Sequence, residues 1–204
     1  ASYGEGEQKA HAIMAEAAKS LGLGVAQDPA CNSYFTLPGK NRRAPSVLIG
    51  SHLDSVAQGG NFDGAAGVVS GLTALAALKD AGVTPNVDVT VMGVRAEESA
   101  WFGVSYLGSR AALGMLPTGA LDAKRSDNGR SLGDHIAECG GDPEALLNGP
   151  AVLDTSLIRA FLEPHIEQGP VLDERETPIG IVTGIRGNRR LPAARCFGRY
   201  AHCG

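Results

Sequence analysis

The feature that most constrains the fold is an apolar segment, a glycine-rich helical segment and a second apolar segment, in that order. Residues Pro45–Gly50 are short, apolar and bounded by turn residues, which is typical of a buried strand. The Gly64–Ala81 segment carries apolar residues at helical spacing, and Val87–Val94 alternates apolar residues as a strand does. Strand, helix and strand in succession predict an α/β fold with a mostly parallel sheet flanked by helices.

Shorter segments extend this plan along the chain. Alanine, isoleucine and methionine recur at helical spacing over Glu5–Leu21, and glycines follow as stop signals, so we expect a first helix there. Residues Ser131–Cys139 predict a short helix that ends at two glycines. Residues Ile158–Leu162 and Ile179–Val182 predict two more strands.

A domain boundary is expected near Ile185. After Gly184 the pattern changes to arginines, a proline and small residues. Residues 1–185 then form one domain, and residues 186–204 begin a second that is too short to build a core of its own. We therefore expect the sequence to be a truncated piece of a longer protein.

Composition excludes several classes of function. The 204 residues are 43% hydrophobic and 20% charged, which is ordinary for a globular protein. The net charge of −4 comes without a basic stripe, which argues against nucleic-acid binding, and no apolar run reaches the ~20 residues that cross a bilayer. The four cysteines form no C-x-x-C pair, so we expect reduced thiols and a cytoplasmic location.

Three predicted strands are each followed by side chains that can bind a metal ion. The first strand leads into His52 and on to Asp63, the second into Glu97 and Glu98, and the third into His165. Sites in open α/β sheets gather at the carboxyl ends of strands, so we expect these loops to converge. Imidazole and carboxylate together suit a divalent metal ion.

Each of these residues has a simpler explanation when taken alone. His52 could be a partly buried loop histidine, and His165 a histidine of an edge strand. Asp63 immediately precedes the predicted helix and could be its N-cap, because aspartate is preferred there. Glu97 and Glu98 could be solvated acids that open a helix. The joint pattern is much harder to explain as accident.

The neighbours of each histidine separate the candidates from the rest. In the extended segment around His52, side chains two residues apart point the same way, so Asp54 can accept one imidazole N–H and leave the other nitrogen for a metal. His11 and His135 lie in predicted helices without a partner motif, and we predict that they are structural or on the surface.

Five motifs together resemble one branch of a known superfamily. The segments GSHLDS, GGNFDG, RAEESAWF, HIEQG and GRYAHCG are similar to the carbamoylase branch of the dinuclear metallo-aminoacylase/carboxypeptidase superfamily. That branch contains N-carbamoyl-L-amino-acid hydrolases, allantoate amidohydrolases, ureidoglycolate amidohydrolases and β-ureidopropionases. The resemblance runs in order from about residue 45 to the last residue.

The resemblance implies a role for each matching residue. The implied metal ligands are His52 and His165 on a first ion, Asp63 bridging two ions, and Glu98 on the second. Glu97 matches the general base.

The resemblance also implies roles beyond the metal ligands. Asp54 matches the aspartate that orients the first histidine. Gln168 and Arg190 resemble substrate contacts. His202 is similar to a lid-domain histidine that reaches the partner subunit's active site, binds substrate and steadies the developing oxyanion.

The activity implied is hydrolysis of a ureido C–N bond in an N-carbamoyl-L-amino acid or a related ureido acid such as allantoate, releasing ammonia and carbon dioxide. The implied cofactors are two divalent ions, of zinc, manganese, cobalt or nickel. The implied architecture is a zinc-aminopeptidase-like catalytic domain followed by the start of an α+β lid and dimerisation domain, so the full-length protein is expected to be a homodimer.

Departures from the branch keep other functions open. Ser99 and Trp101 stand where many members have glycine and arginine, and Pro164 precedes His165 where many have another residue. The branch's fifth ligand, a histidine near its C-terminus, has no counterpart in this sequence. The alternatives are a metallo-aminopeptidase or aminoacylase of the same superfamily, and an inactive fragment. A nucleophilic serine is disfavoured because no G-x-S-x-G motif is present, and a cysteine nucleophile is also disfavoured.

Overall fold

The computed structural model describes residues 1–185, 187, 195 and 197–199. Within these residues one five-stranded sheet forms the centre, with its strands in the order β1-β2-β4-β3-β5. The strands are β1 (Gly24–Gln27), β2 (Ser33–Leu37), β3 (Ser46–His52), β4 (Val89–Val94) and β5 (Ile158–Leu162).

The sheet is mixed because a hairpin is added to a parallel centre. Strand β3 pairs in parallel with β4 on one side and β5 on the other. Strand β2 is antiparallel to both β4 and β1. Only a short turn joins β1 to β2, and such a turn reverses the direction of the chain. The Asp28 carboxylate stabilises that turn by accepting the main-chain N–H groups of Ala30 and Asn32, each at 2.9 Å. The predicted α/β class is confirmed, and the hairpin is the part that the sequence pattern did not indicate.

The two long helices cover one face of the sheet. Helix α1 (Glu5–Ser20) and helix α2 (Ala65–Asp80) enclose a single core cluster with the sheet. Among the described residues, no helix is both long enough and apolar enough to cross a membrane. The shorter helices are α3 (Leu107–Ala112), α4 (Leu132–Glu138), α5 (Pro143–Asn148) and α6 (Val171–Glu174). The core cluster consists of Met14, Ala18, Leu23, Phe35, Leu37, Val68, Leu72, Leu75 and Val91.

Glycines let α2 lie directly on the sheet. A Cβ at Gly71 would stand 3.0 Å from methyl groups of Ile49 and Val91, and a Cβ at Gly67 would stand 2.6 Å from the Ser51 Cβ. The helix therefore contacts β3 at the end where the candidate site residues begin.

Most predicted elements are confirmed within a few residues, including the first helix, the strand–helix–strand unit, the Ser131–Cys139 helix and the Ile158–Leu162 strand. The strand predicted at Ile179–Val182 is wrong. In the described structure these residues form no strand, and Ile179 and Ile181 are 79% and 89% exposed. Apolar residues form a strand only where a neighbouring strand can pair with them, and here no described strand does.

His11 is a buried structural histidine, as its isolated sequence position predicted. Its side chain lies under the sheet, and Nδ1 is 2.8 Å from the Ser33 hydroxyl. Its Nε2 has no hydrogen-bond partner among the described residues. Burial, together with the positive charge of Arg95, lowers the pKa of His11 to about 2, so the folded protein holds it neutral.

Stability should therefore depend on pH through His11. The unfolded chain binds a proton there near pH 6.5 and the folded chain does not, so the stability that His11 contributes is complete above pH 6.5. It falls by up to ~1.4 kcal/mol per pH unit as the pH drops below that value. The non-ionisable variant His11→Asn should lose this dependence. Urea unfolding of both proteins between pH 7.5 and pH 5 measures it, and a constant difference in unfolding free energy would contradict the assignment.

Candidate metal centre

The three parallel strands deliver their candidate residues to one edge of the sheet. His52 is the last residue of β3, Glu97 and Glu98 follow β4, and His165 follows β5. Asp63 reaches the same place from the loop before α2. The predicted convergence of these loops is what the structure shows.

His52, Asp63 and His165 form what we call the first ligand group. The Nε2 atoms of His165 and His52 lie 3.2 Å and 3.8 Å from Asp63 Oδ1. One potential ligand atom from each residue lies within 4.8 Å of the others. His52 and Asp63 are buried and His165 is exposed, so an ion could enter from the solvent side.

His52, Glu97 and Glu98 form the second ligand group. The Oε2 atom of Glu97 lies 3.8 Å from His52 Nε2, and the three potential ligand atoms again lie within 4.8 Å of one another. Because His52 belongs to both groups, the two groups share one centre.

Hydrogen bonds at Nδ1 leave Nε2 of both imidazoles available to a metal. The Nδ1 atom of His52 lies 3.0 Å from the Asp54 carbonyl oxygen, which can only accept, so Nδ1 donates. The Asp54 carboxylate is the second neighbour of this nitrogen, at 3.3 Å. The Nδ1 atom of His165 donates to the Ile166 carbonyl at 2.6 Å. A donating Nδ1 fixes the tautomer in which Nε2 carries the free lone pair.

Asp54 also holds the loop that carries the two glutamates. Its Oδ1 accepts the main-chain N–H of Glu97 at 3.0 Å, and its Oδ2 accepts that of Glu98 at 3.2 Å. Its Oδ2 accepts the Ser2 hydroxyl as well. Asp54 therefore orients His52 and the glutamates together. The contact with Ser2 is one that spacing could not indicate, since 52 residues separate the two.

The electrostatics of the centre suit a cation. Burial alone would lower the pKa of His52, but the hydrogen bond and charge of Asp54 and the charge of Glu97 outweigh it and raise the pKa to about 9. Burial raises the pKa of Glu97; the His52 imidazole opposes this rise and the neighbouring Glu98 adds to it. Carboxylates crowded in a low dielectric are costly unless a positive charge balances them. The donor set of imidazole nitrogens and carboxylate oxygens therefore fits a divalent ion.

The simpler explanations fail for Asp63 and for the glutamate pair. The N-cap of α2 is Gly64, and no side chain caps that helix, so Asp63 is not an N-cap. Glu97 and Glu98 lie in an irregular, half-buried segment and open no helix.

The residues predicted to contact substrate have separate outcomes. The Nε2 atom of Gln168 donates to Asp63 Oδ2 at 2.7 Å, so in this structure Gln168 contacts a candidate ligand. Arg190 and His202 lie outside the described residues. Trp101 stands in place of the usual arginine. It donates its indole N–H to the Ser55 carbonyl at 2.7 Å, and this bond joins the loop after β4 to the loop after β3.

Gly64 is a site residue that the sequence analysis did not single out for contact with His52. Its φ is +69°, a left-handed value that favours glycine, and an added Cβ would stand 2.5 Å from the His52 ring. The glycines around Asp63 in the segment GGNFDG were the sequence feature that could have indicated this close approach.

The fold and this cluster together define an α/β domain with a candidate metal centre at the carboxyl ends of its parallel strands. A model of peptidase family M28 matches residues 32–121. An N-carbamoyl-L-amino acid amidohydrolase of Geobacillus stearothermophilus is 39% identical over 89% of this chain and 44% of its own length. Allantoate deiminase 2 of Glycine max is 36% identical over 91% of this chain and 38% of its own length.

A solved structure agrees with these relatives. The crystal structure of a hydantoinase/carbamoylase family amidase from Burkholderia ambifaria matches 90% of this chain and 44% of its own, with a TM-score of 0.79 and 34% identity. The chain belongs to the carbamoylase branch that its motifs resemble. It spans less than half the length of these relatives.

Substituting Gly64 should weaken metal binding, and Gly82 offers a matched control. Both glycines have a left-handed φ, at opposite ends of α2, but a Cβ at Gly82 would meet nothing within 4 Å. Gly82→Ala should cost about 1–2 kcal/mol of stability through backbone strain and leave metal affinity unchanged. Gly64→Ala also places alanine at a positive φ and in addition displaces His52, so we expect about a 10–100-fold loss of affinity. Calorimetric titration with Zn²⁺ measures this, and equal affinities in the two variants would contradict the site geometry.

Proposed function

We propose that this chain carries most of the catalytic centre of a metal-dependent amidohydrolase that cleaves a ureido C–N bond. The proposed substrate class is an N-carbamoyl-L-amino acid or a related ureido acid such as allantoate. This choice is supported by relatives named for these substrates, which are 39% and 36% identical to the chain. The observation that carries the proposal is the convergence of His52, Asp63, His165 and the glutamate pair at one edge of the sheet.

The chain's own residues fit two divalent ions. His52 and His165 would hold the first, Asp63 would be shared, and Glu98 would hold the second. Zinc, manganese, cobalt and nickel all accept this mixture of nitrogen and oxygen donors. Bound ions would supply Lewis acidity, which makes water a stronger acid near neutral pH and polarises the substrate carbonyl.

Glu97 is the proposed general base. Its side chain is 28% exposed, so it borders the buried imidazole on one side and remains accessible to a substrate on the other. Burial raises the pKa of Glu97 towards neutral pH, and a group whose pKa is near the working pH can both accept and return a proton. Glu97 accepts a proton from the attacking water and delivers it to the leaving nitrogen. The products from a carbamoyl amino acid are ammonia, carbon dioxide and the amino acid.

Asp54 positions the reacting groups in this proposal. It binds the N–H of Glu97 and the imidazole of His52, so the base and the first ligand keep a fixed separation. Gln168, Arg190 and His202 remain proposed substrate contacts, and stabilisation of the oxyanion by His202 remains part of the proposed homodimer. Cys31 and Cys139 are free thiols, which supports the proposed cytoplasmic location.

One observation favours a second candidate. The match to peptidase family M28 over residues 32–121 favours a metallo-aminopeptidase or aminoacylase that uses the same ligands. Ammonia is a product of the first activity and not of the second, so the product distinguishes them.

Replacing the proposed base should remove activity without removing metal. In the complete protein, Glu97→Gln keeps the shape of the side chain and should lower ammonia release from N-carbamoyl-L-amino acids by about 10²–10⁴-fold, with unchanged metal content. Glu16→Gln changes an exposed glutamate on α1 and is the control. Near-wild-type turnover of Glu97→Gln would contradict the role of Glu97. Cleavage of dipeptides without ammonia release from carbamoyl substrates would favour the second candidate.

A further inference from the structure

We infer that Glu7, on helix α1, is a positioning residue for the candidate metal centre. Its carboxylate fixes the main chain immediately before Glu97. This inference rests on the proposed function for its catalytic consequence, but the contact itself is independent of it.

Glu7 is fully buried and makes three contacts through its carboxylate. Its Oε1 accepts the main-chain N–H of Ala96 at 2.9 Å. Its Oε2 accepts the N–H of Tyr3 and lies 3.3 Å from Nη1 of Arg95. The helix is thereby joined to the segment that follows β4.

Arg95 is buried to the same degree and is held on several sides. Its Nε donates to the Cys31 carbonyl at 3.0 Å, and its main-chain N–H donates to Asn32 Oδ1 at 2.8 Å. Its Nη2 donates to Gln8 on α1. The guanidinium is thus the cation that accompanies Glu7 into the core.

The backbone at Ala96 needs such support. Its φ is +48°, which an L-residue other than glycine adopts at a cost. The N–H of Ala96 is bound by Glu7 and its carbonyl accepts the Leu107 N–H at 3.1 Å. The next two N–H groups, of Glu97 and Glu98, are bound by Asp54. Three consecutive N–H groups are therefore held by two buried carboxylates from different parts of the chain.

A role in stability alone does not explain this arrangement. A buried ion pair contributes little net stability, and apolar residues of similar volume often serve as well or better. Burial, followed by the charge of nearby Asp54, raises the pKa of Glu7 to about 7, so the carboxylate is held in an unfavourable place. The hydrogen bond from Ala96, the residue immediately before Glu97, to this carboxylate accounts for its presence there.

The consequence should be selective. Glu97 and Glu98 directly follow the segment that Glu7 supports. The two residues that belong only to the first ligand group, Asp63 and His165, come from the loop before α2 and the loop after β5. Loss of the Glu7 carboxylate should therefore weaken the second ion and spare the first.

The test uses variants in an Arg95→Met background, so that removing the Glu7 carboxylate leaves no unpaired guanidinium in the core. In this background Glu7 is retained, changed to Gln, or changed to Leu. Glutamine still offers an oxygen to the Ala96 N–H, and leucine does not. The pair that differs only by Glu7→Leu isolates the carboxylate, and Glu7→Gln is the conservative rescue.

Two readouts follow. Hydrogen–deuterium exchange of peptides spanning residues 95–98, measured by mass spectrometry, should be about tenfold faster or more with Glu7→Leu and unchanged with Glu7→Gln. Zn²⁺ titration of the complete protein should show the second dissociation constant raised about tenfold or more with Glu7→Leu, and the first unchanged. A general loss of stability would instead raise both constants together.

The outcomes separate this inference from the proposed function. Equal exchange at residues 95–98 in the Glu7→Leu and Glu7 proteins would overturn the positioning role, even if two ions and ammonia release were found. Faster exchange in a protein that binds no second ion would support the contact and contradict the two-ion function. Should the background variant fail to fold, the wild-type protein still decides, because rapid exchange at residues 95–98 there would overturn the inference.

Discussion

The carboxylate of Asp54 connects the two parts of the candidate site. It lies beside Nδ1 of His52 at the end of β3, and it binds the N–H groups of Glu97 and Glu98 after β4. His52 and the two glutamates lie in separate parts of the chain, and this carboxylate joins them. Because one carboxylate contacts both, the imidazole and the main chain of the glutamates are held next to each other.

The parallel pairing of β3 with β4 and β5 determines which side chains meet. All three strands end at the same edge, so their following loops bring imidazoles and carboxylates into a small volume. Negative charge is crowded at this edge. The charges of Asp54 and Glu97 raise the pKa of His52 against the opposing effect of burial, and burial together with the charge of Glu98 raises the pKa of Glu97. A cation relieves that crowding, which is why the geometry and the electrostatics favour the same class of function.

The sequence predicted those parts of the fold that local patterns specify. Helix α2 and strands β3, β4 and β5 were evident because apolar spacing and glycines determine them locally. Strand β1 is short and wholly exposed, so it has no hydrophobic pattern to detect. The strand predicted at Ile179–Val182 was wrong because an apolar run does not reveal whether a pairing partner exists. The ligand set followed from motifs, but the contacts of Glu7 with Ala96 and of Ser2 with Asp54 join distant segments and leave no spacing signal.

The most direct test of the central claim is anomalous X-ray diffraction from crystals of the protein grown with Mn²⁺ or Zn²⁺, recorded at the absorption edge of the metal. The account predicts one anomalous peak in contact with His52, Asp63 and His165, and a second in contact with Glu98. Peaks confined to other parts of the molecule, or no ordered ion at His52, would contradict the assignment of this cluster as a metal centre.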